Sequence, residues 1–375
     1  MGGYSLEHVR PIGFPGTAGP RDIHVDAQGF VCAEPVAGAE RIDCRGAFVS
    51  PGWADLHVHV WYGGSDFSVR ADEAGLNRGV TAMADAGSAG EATFHGLREY
   101  VLERQRETIK AFINIGSIGL VAANRVSELS GPGSIDVERT RRVIAANRDV
   151  ICGVKVRCSG LVVGQWGLEP LRIARTVADE AGLPLMVHIG EAPPAVEDVL
   201  ELLAPGDLVT HCFHGKQGTA LFETPERVAL ACAAAARGVR FDVGHGAASY
   251  SFDMAERALL AGFKPFSIST DLHQRNIRGP VYDLATTASK LLAIGLPLED
   301  CVLAISERPR SVLGLESARN LEVGSRADLT VFELLASDLT AADSLGASRN
   351  LPTLFRPLYA ASGSVLQRVP DKAGA

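Results

Sequence analysis

The 375-residue sequence lacks two features that would place it with membrane or nucleic-acid-binding proteins. No apolar stretch approaches the 18 or more residues of a membrane-spanning helix. There is also no excess of basic residues, because 36 Lys and Arg stand against 44 Asp and Glu, which gives a net charge of -8. A surface of that sign repels nucleic acid and anionic membranes, so we expect neither as a partner.

The sequence also lacks a paired cysteine motif. Its seven cysteines are scattered, at positions 32, 44, 152, 158, 212, 232 and 301, and an odd, dispersed set in a large acidic chain is typical of reduced thiols. Residues 1–14 contain no basic segment followed by an apolar one, so the sequence predicts no secretory signal. We therefore expect a cytoplasmic protein.

The middle of the chain alternates short apolar runs with longer amphipathic ones, which predicts an α/β protein. Eight buried strands separated by helices are typical of a (β/α)8 TIM-type barrel, although periodicity alone leaves a doubly wound open sheet as the alternative. The predicted strands are 52–59, 80–84, 112–117, 151–156, 185–189, 208–212, 240–243 and 266–271. The clearest helical patterns are 96–110, 136–147, 168–181, 225–237 and 252–261.

The two ends of the chain differ from the middle. Residues 1–50 are rich in Gly and Pro, with short β-like pieces, and residues 321–335 contain a Gly-Ser turn followed by strand-like alternation. We predict a small β-sandwich domain built from residues 1–50 and 315–375, beside a barrel of residues 51–314. The tail after residue 336 is poorly patterned, with strands predicted near 356–360 and 364–368.

Residues that can bind metal stand at the ends of several predicted strands. His57 and His59 are two apart on the first strand, so both imidazoles project to one face. His188, His211 and Asp271 each end a different strand. In a parallel barrel these ends meet at one face, where catalytic groups lie, so the set favours the barrel over the open sheet. The alternative is that these are core histidines with satisfied hydrogen bonds and no metal. It requires several such placements to arise by chance.

Lys155 is unusual because it lies among apolar neighbours within a predicted strand, and the chain has only six lysines. Lysine is rarely buried without a partner. An ammonium beside metal ions would be repelled, so either its charge is altered or it forms an ordinary buried salt bridge with a barrel carboxylate.

The order HxH, Lys, His, His, Asp resembles the metal-binding pattern of the amidohydrolase superfamily, within its dihydroorotase-like branch that carries a carboxylated lysine. The segments VSPGWAD at 49–55 and VGSRADL at 323–329 match the same family. The resemblance implies two zinc ions bridged by Lys155 after carboxylation by carbon dioxide, although other divalent metals also suit these ligands. It assigns His57, His59 and Asp271 to the more buried ion, and His188 and His211 to the more exposed one.

The resemblance also implies a mechanism. Two zinc ions would supply a hydroxide to attack the acyl carbon, since zinc can lower the pKa of bound water to about 7. Asp271 acts first as the general base and then as the general acid for the leaving group.

The substrate class is less sharply indicated. Dihydroorotases usually carry Arg two residues after HxH, where this chain has Trp61. The segments KVRCSG at 155–160, HCFHG at 211–215 and STDLH at 269–273 resemble bacterial deacetylase-like amidohydrolases. They imply hydrolysis of N-acyl amino acids or acyl esters of 2-hydroxy acids. One alternative is a cyclic amidase of the dihydroorotase or hydantoinase kind. The other is a catalytically silent barrel that serves as a partner in an assembly, but such barrels typically lose metal ligands, and here all six are present.

A small carboxylate-bearing substrate needs a cationic partner, and Arg binds carboxylates in bidentate fashion. Arg157 is the first candidate because it is predicted to share a strand face with Lys155, and Arg275 and Arg278 in the last loop are reserves. His245, in a Gly-rich turn, is a candidate for binding the scissile carbonyl. Ordinary surface ion pairs are the alternative for each Arg. Homo-oligomers are common for this fold, so self-association stays open.

Overall fold

Two β-sheets organise the computed structural model, which describes residues 2–17, 19–123 and 125–371. One has eight strands drawn from both ends of the chain, and the other has seven parallel strands from its middle. The strands are β1 Tyr4–Pro11, β2 Arg21–Val25, β3 Val31–Cys32, β4 Glu40–Asp43, β5 Phe48–Pro51, β6 Trp53–Val58, β7 Val80–Gly90, β8 Thr108–Asn114, β9 Ile151–Cys158, β10 Leu185–Ile189, β11 Leu208–Thr210, β12 Arg240–Asp242, β13 Asp328–Ala342, β14 Ser348–Ser362 and β15 Val365–Arg368.

The helices lie between the strands of the parallel sheet and after it. Several begin where a side chain accepts a backbone hydrogen bond three residues on, as Asp136 and Thr224 do. In the described part of the chain, no helix is both long and apolar enough to cross a membrane. The helices are α1 Phe94–Tyr100, α2 Val137–Ala146, α3 Gly160–Val163, α4 Glu169–Ala181, α5 Val196–Glu201, α6 Pro225–Ala236, α7 Phe252–Leu260, α8 Leu284–Ala293, α9 Leu298–Ala304 and α10 Glu307–Val312.

The parallel sheet closes into the predicted barrel. Strands β6 to β12 pair in chain order, and residues 266–272 complete the ring. Ser267 bridges Asp242 of β12, and Leu272 bridges Val58 of β6, both in parallel register. The eighth predicted strand, 266–271, is thus a pair of bridges rather than a continuous ladder. The Ile268 N–H explains part of this, because it donates to the Ala304 carbonyl outside the sheet (2.9 Å).

Three predicted elements have wrong boundaries. The helix predicted over 96–110 ends at Tyr100, and a short 3-10 turn follows at Leu102–Arg104. The strand predicted at 112–117 is β8, which runs over Thr108–Asn114. The alternation in TIKAF is a strand pattern that the helical interpretation overlooked. Strand β7 runs to Gly90 rather than to residue 84. Its second half is made of small residues, which have low β-propensity and hold the strand through burial on both faces.

The small sheet joins the two ends of the chain. Its strands are ordered β15-β14-β13-β5-β1-β2-β3, with β4 also on β1. The first part of β1 pairs with β2 and β4, and its last residues pair with β5. A bulge at His8, with φ of 56°, allows this change of partner. The small β-domain is therefore present as one connected sheet with its own apolar core. Its boundaries at residues 50 and 315 stay a prediction.

The tail is more regular than its sequence suggests. Strands β13 and β14 form a long antiparallel hairpin, where only short strands were predicted. The register shifts near Val331 and Ala336, and Pro352 and Pro357 lack an N–H, so the alternation is broken. The distal half of the hairpin leaves the small sheet and packs on α8, where the Phe355 N–H donates to Ser289 Oγ (2.9 Å).

An aromatic cluster joins the small sheet to the first barrel strand. The ring of Phe332 is fully buried and lies 5.5 Å from Phe48, 5.4 Å from Trp53 and 5.4 Å from Phe355, measured between ring centroids. Aromatic contacts of this kind add to the stabilisation from burial. The orientation of β6, and of the two histidines near its end, therefore depends partly on this junction.

We expect Phe332→Ala to lower the free energy of unfolding by about 3–5 kcal/mol, because it leaves a cavity at the junction. Phe30→Ala is the control, since Phe30 is 41% exposed and its loss should change stability by no more than about 0.5 kcal/mol. Urea denaturation followed by circular dichroism measures both. Equal losses of unfolding free energy in the two variants would show that the aromatic cluster stabilises the protein no more than an exposed phenylalanine does.

Candidate metal centre and active-site cavity

The structure gathers all six predicted ligand residues at one end of the barrel. His59 Nε2 lies 3.0 Å and His57 Nε2 lies 3.4 Å from Asp271 Oδ1. Ligand atoms of His57, His211 and Asp271 all fall within 4.8 Å of one another. The ring of His188 is 4.3 Å from that of His211, between centroids, and Lys155 Nζ is 3.4 Å from His57 Nε2.

Three of the histidines are fixed through their outer nitrogen. His57 Nδ1 lies 2.9 Å from Thr210 Oγ1, and His59 Nδ1 lies 2.9 Å from Ser88 Oγ. His211 Nδ1 donates to the Gly244 carbonyl (2.6 Å). Each contact leaves Nε2 for the centre of the site. A metal-binding histidine is oriented in this way by the partner of its second nitrogen.

The protonation of two of these rings follows from their partners. Thr210 Oγ1 donates its proton to Asp242 Oδ2 (2.8 Å), so it must accept from His57 Nδ1. His211 Nδ1 must carry a proton to donate to a carbonyl. Both rings therefore keep a bare lone pair on Nε2 when neutral. Within the described residues, the buried Nε2 of His211 has no hydrogen-bond partner.

Burial keeps the ligand nitrogens neutral. It lowers the pKa of His211 to about 3 and holds the pKa of His57 and His188 well below the usual value. Burial also lowers the pKa of Lys155 to about 7. A neutral imidazole binds a metal cation, and a neutral amine is the form that reacts with carbon dioxide. The donor set of nitrogen and carboxylate oxygen, with one buried lone pair unused, fits divalent metal ions.

Lys155 forms no ion pair with a carboxylate in the described part of the chain, so the structure offers no support for the buried salt bridge. The atoms next to its Nζ are His57 Nε2 and Met186 Sδ, each at 3.4 Å. Gly87 makes room for the lysine stem, because a Cβ there would lie 2.8 Å from Lys155 Cγ. Sequence reasoning missed Gly87, since a Gly among small residues gives no signal of its own.

Asp271 is held in an uncommon backbone conformation, with φ of 48°. Its N–H donates to the His57 carbonyl (2.7 Å), and its own carbonyl accepts from Asn276 Nδ2 (2.7 Å). The Asp271 carboxyl turns Oδ1 to the histidines, 3.0 Å from His59 Nε2 and 3.4 Å from His57 Nε2.

A cavity of about 530 Å³ is lined by two of the ligand-type residues, His188 and Asp271. Its lining contains cationic, acidic and apolar side chains, so it suits a small molecule with a charged and an apolar part. The remaining lining residues are Phe67, Ala123, Arg125, Val126, Ser127, Arg157, Ser159, Leu161, Val162, Glu191, Lys216, Ala247, Ala248, Ser249, His273 and Arg275.

The structure does not support all of the predicted substrate contacts. Arg157 lines the cavity, but its Nε and Nη2 are bound to the buried Glu128 carboxylate, with an Nε–Oε1 distance of 2.7 Å. His245 turns away from the cavity, and its Nε2 meets Lys290 Nζ at 2.8 Å. Arg278 is exposed outside the lining, whereas Arg275 lies within it. Glu128 was missed because it lies in a loop without periodic pattern.

Trp61 lies in the apolar core and not in the cavity lining. Its side chain is 8% exposed and packs so closely on Gly64 that a Cβ there would lie 1.9 Å from the indole. This position therefore contributes no group to the site.

Known proteins resemble this chain in sequence and in fold. The model of the amidohydrolase family matches residues 48–356. A protein named deacetylase from Agrobacterium fabrum is 49% identical over 366 residues, which cover 96% of this chain and 90% of that protein. A protein named deacetylase from Brucella anthropi is 47% identical over 366 residues, covering 96% of this chain and 91% of that protein.

Two solved structures are similar over almost the whole chain. A crystal structure described as a dihydroorotase has a TM-score of 0.95 and 47% identity, and covers 100% of both chains. One described as an adenine deaminase has a TM-score of 0.90 and 31% identity, and covers 98% of this chain and 100% of that chain. This chain belongs to the amidohydrolase family.

Proposed function

We propose that this chain is a metal-dependent deacetylase, which hydrolyses the acyl bond of small carboxylate-bearing compounds. The substrates are N-acyl amino acids or acyl esters of 2-hydroxy acids. One observation carries the proposal, namely that six ligand-type side chains gather at one end of the barrel and that two of them, His188 and Asp271, line a cavity with cationic and apolar side chains. The two relatives named deacetylase, at 49% and 47% identity over nearly the whole chain, support the hydrolysis of an acyl bond.

The cofactor in this proposal is a pair of zinc ions. His57, His59 and Asp271 would hold one ion and His188 and His211 the other, with Lys155 carboxylated to serve both. The ions would lower the pKa of a water molecule to about 7 and polarise the acyl carbonyl. The low pKa of the Lys155 amine supports its carboxylation, because the neutral amine is the nucleophile that adds to carbon dioxide.

Asp271 is the proposed proton carrier. Its Oδ1 faces the histidines, which leaves Oδ2 to accept a proton from the attacking water and to give it to the leaving nitrogen or oxygen. The backbone hydrogen bonds of Asp271 to His57 and Asn276 hold this residue in the cavity lining. In this step the water oxygen bonds to the acyl carbon, the acyl C–N or C–O bond breaks, and a proton of the water passes through Asp271 to the leaving nitrogen or oxygen.

The substrate carboxylate is assigned to the cationic side chains of the cavity lining. Arg157 keeps only its Nη1 free of Glu128, so it contributes less than its position suggested. Lys216 already pairs with Glu191 (2.9 Å). Arg275 lies in the lining without an ion pair to any described residue, and we propose it as the main contact.

The second candidate is a cyclic amidase of the dihydroorotase kind. It is favoured by the structure described as a dihydroorotase, which is 47% identical to this chain. The buried Trp61 argues against it, because that position supplies no cation to the cavity. Location in the cytoplasm and self-association both stay predictions.

We expect Lys155→Ala to lower activity at least about 100-fold and to reduce the metal content of the protein, because a shared ligand is lost. A short carboxylic acid such as formate or propionate should restore part of the activity by occupying the vacated space. Metal analysis and initial rates with and without the acid measure these effects. Lys110→Ala, on the neighbouring strand β8, is the control. Two tightly bound metals and full activity without added acid would contradict the bridging role.

For Asp271→Asn, we expect kcat to fall about 10²- to 10⁴-fold, since the amide cannot carry the proton. Much of the metal should remain, because the amide oxygen still faces the histidines. Steady-state kinetics and metal analysis are the measurements, with Asp253→Asn in α7 as the matched control. Activity retained in Asp271→Asn would remove this residue as the proton carrier.

The substrate class is tested by hydrolysis with the zinc-loaded protein. The panel holds N-acetyl-D- and N-acetyl-L-amino acids, acetylated 2-hydroxy acids, dihydroorotate and adenine. We expect turnover of an acetylated compound, and its loss in Asp271→Asn. Turnover of dihydroorotate alone would favour the cyclic amidase, and turnover of adenine alone would overturn the acyl hydrolase.

A further inference from the structure

A second buried lysine lies outside the metal centre. Lys290, in helix α8, is fully buried, and its Nζ donates to the Pro280 carbonyl (2.6 Å), the Ala342 carbonyl (2.7 Å) and His245 Nε2 (2.8 Å). An ammonium has three donors, and all three are satisfied here. Burying such a group is expensive, so an apolar residue would fill the space at less cost in free energy.

The three acceptors belong to three separate parts of the chain. Pro280 is in the loop after Asp271, Ala342 ends strand β13, and His245 is in the loop after β12. The ring of His245 is fixed further, because its Nδ1 donates to the Gly246 carbonyl (3.0 Å) and its face stacks on Tyr250 at 4.5 Å. Lys290 therefore ties the C-terminal hairpin to two loops at the active-site end of the barrel.

The hairpin tip, residues 342–347, is shaped to fit against the loop after β12. Asp343 Oδ1 accepts from the N–H groups of Leu345 (2.8 Å) and Ala347 (2.9 Å), which closes the turn. The Ser344 N–H donates to the Tyr250 carbonyl (3.1 Å), and its Oγ donates to the Gly246 carbonyl (2.8 Å). The tip thus contacts the loop through both backbone and side chain.

That loop borders two of the proposed metal ligands. The Gly244 carbonyl accepts from His211 Nδ1 (2.6 Å), and the Gly246 N–H donates to the Thr270 carbonyl (2.9 Å), next to Asp271. Gly246 is so close to Asp271 that a Cβ there would lie 2.6 Å from Oδ2. A small shift of the loop would therefore turn the His211 ring and crowd the Asp271 carboxylate.

We propose that Lys290 is a positioning residue for the metal centre, acting through His245 and the hairpin tip to hold the loop that orients His211 and Asp271. The proposal rests on the proposed function in that it requires a metal centre to position. Lys290 contacts neither the ligands nor the cavity, so its loss should affect metal affinity and kcat more than KM.

Two variants test this. Lys290→Met keeps the apolar stem and removes the three donors, and Ser344→Ala removes only the hydroxyl at the tip. Lys264→Met, at a surface lysine paired with Asp300, and Ser337→Ala, elsewhere on the hairpin, are the matched controls. The measurements are zinc affinity by competition with a chromophoric chelator, kcat and KM, and the unfolding temperature.

We expect Lys290→Met to lose about tenfold in zinc affinity and in kcat, and Ser344→Ala to change both in the same direction by about threefold, with KM and the controls unchanged. Native zinc affinity and native kcat in both variants would overturn the positioning role. If Lys290→Met does not fold, Ser344→Ala decides alone, provided that it keeps the wild-type unfolding temperature. A wild-type protein that binds no zinc would instead overturn the proposed function, and this inference with it.

Discussion

The hydrogen bond from the Asp271 N–H to the His57 carbonyl (2.7 Å) is the contact on which the rest of the site depends. It joins the last segment of the barrel to β6, and so brings the first and last ligand-type residues together. The buried carboxylate of Asp55 reinforces the junction, because it accepts from the Thr270 N–H (3.1 Å) and hydroxyl (2.6 Å). Without this closure the histidines of β6 would face an open sheet edge.

The site is also maintained by polar groups that are not among the proposed ligands. Asp242 is fully buried and accepts from the hydroxyls of Thr210, Ser267 and Ser269, at 2.8, 2.6 and 2.6 Å. Because the Thr210 hydroxyl donates its proton to Asp242, it can only accept from His57 Nδ1. Asp242 therefore determines the tautomer of His57 through Thr210, without touching the ring. Networks of this kind orient a buried ligand only when every member is satisfied. The proposed positioning role of Lys290 is similar, and it involves the hairpin of the small sheet.

Much of the barrel and the gathering of the six ligand-type residues could be predicted from the sequence, because strand ends in a parallel barrel converge and His, Lys and Asp at those ends are conspicuous. The second half of β7 could not, since small residues carry little strand signal. The hairpin of β13 and β14 could not be predicted either, because bulges and prolines break the alternation that marks a strand. Contacts such as Arg157 with Glu128, and His245 with Lys290, join residues far apart in the chain, so no local pattern reveals them.

A crystal structure of the zinc-loaded protein, with anomalous data at the zinc edge, tests the central claim most directly. We expect two anomalous peaks among His57, His59, His188, His211 and Asp271, and extra density on Lys155 Nζ that fits a carboxylate between them. An unmodified Lys155 with a single peak, or with none, would contradict it.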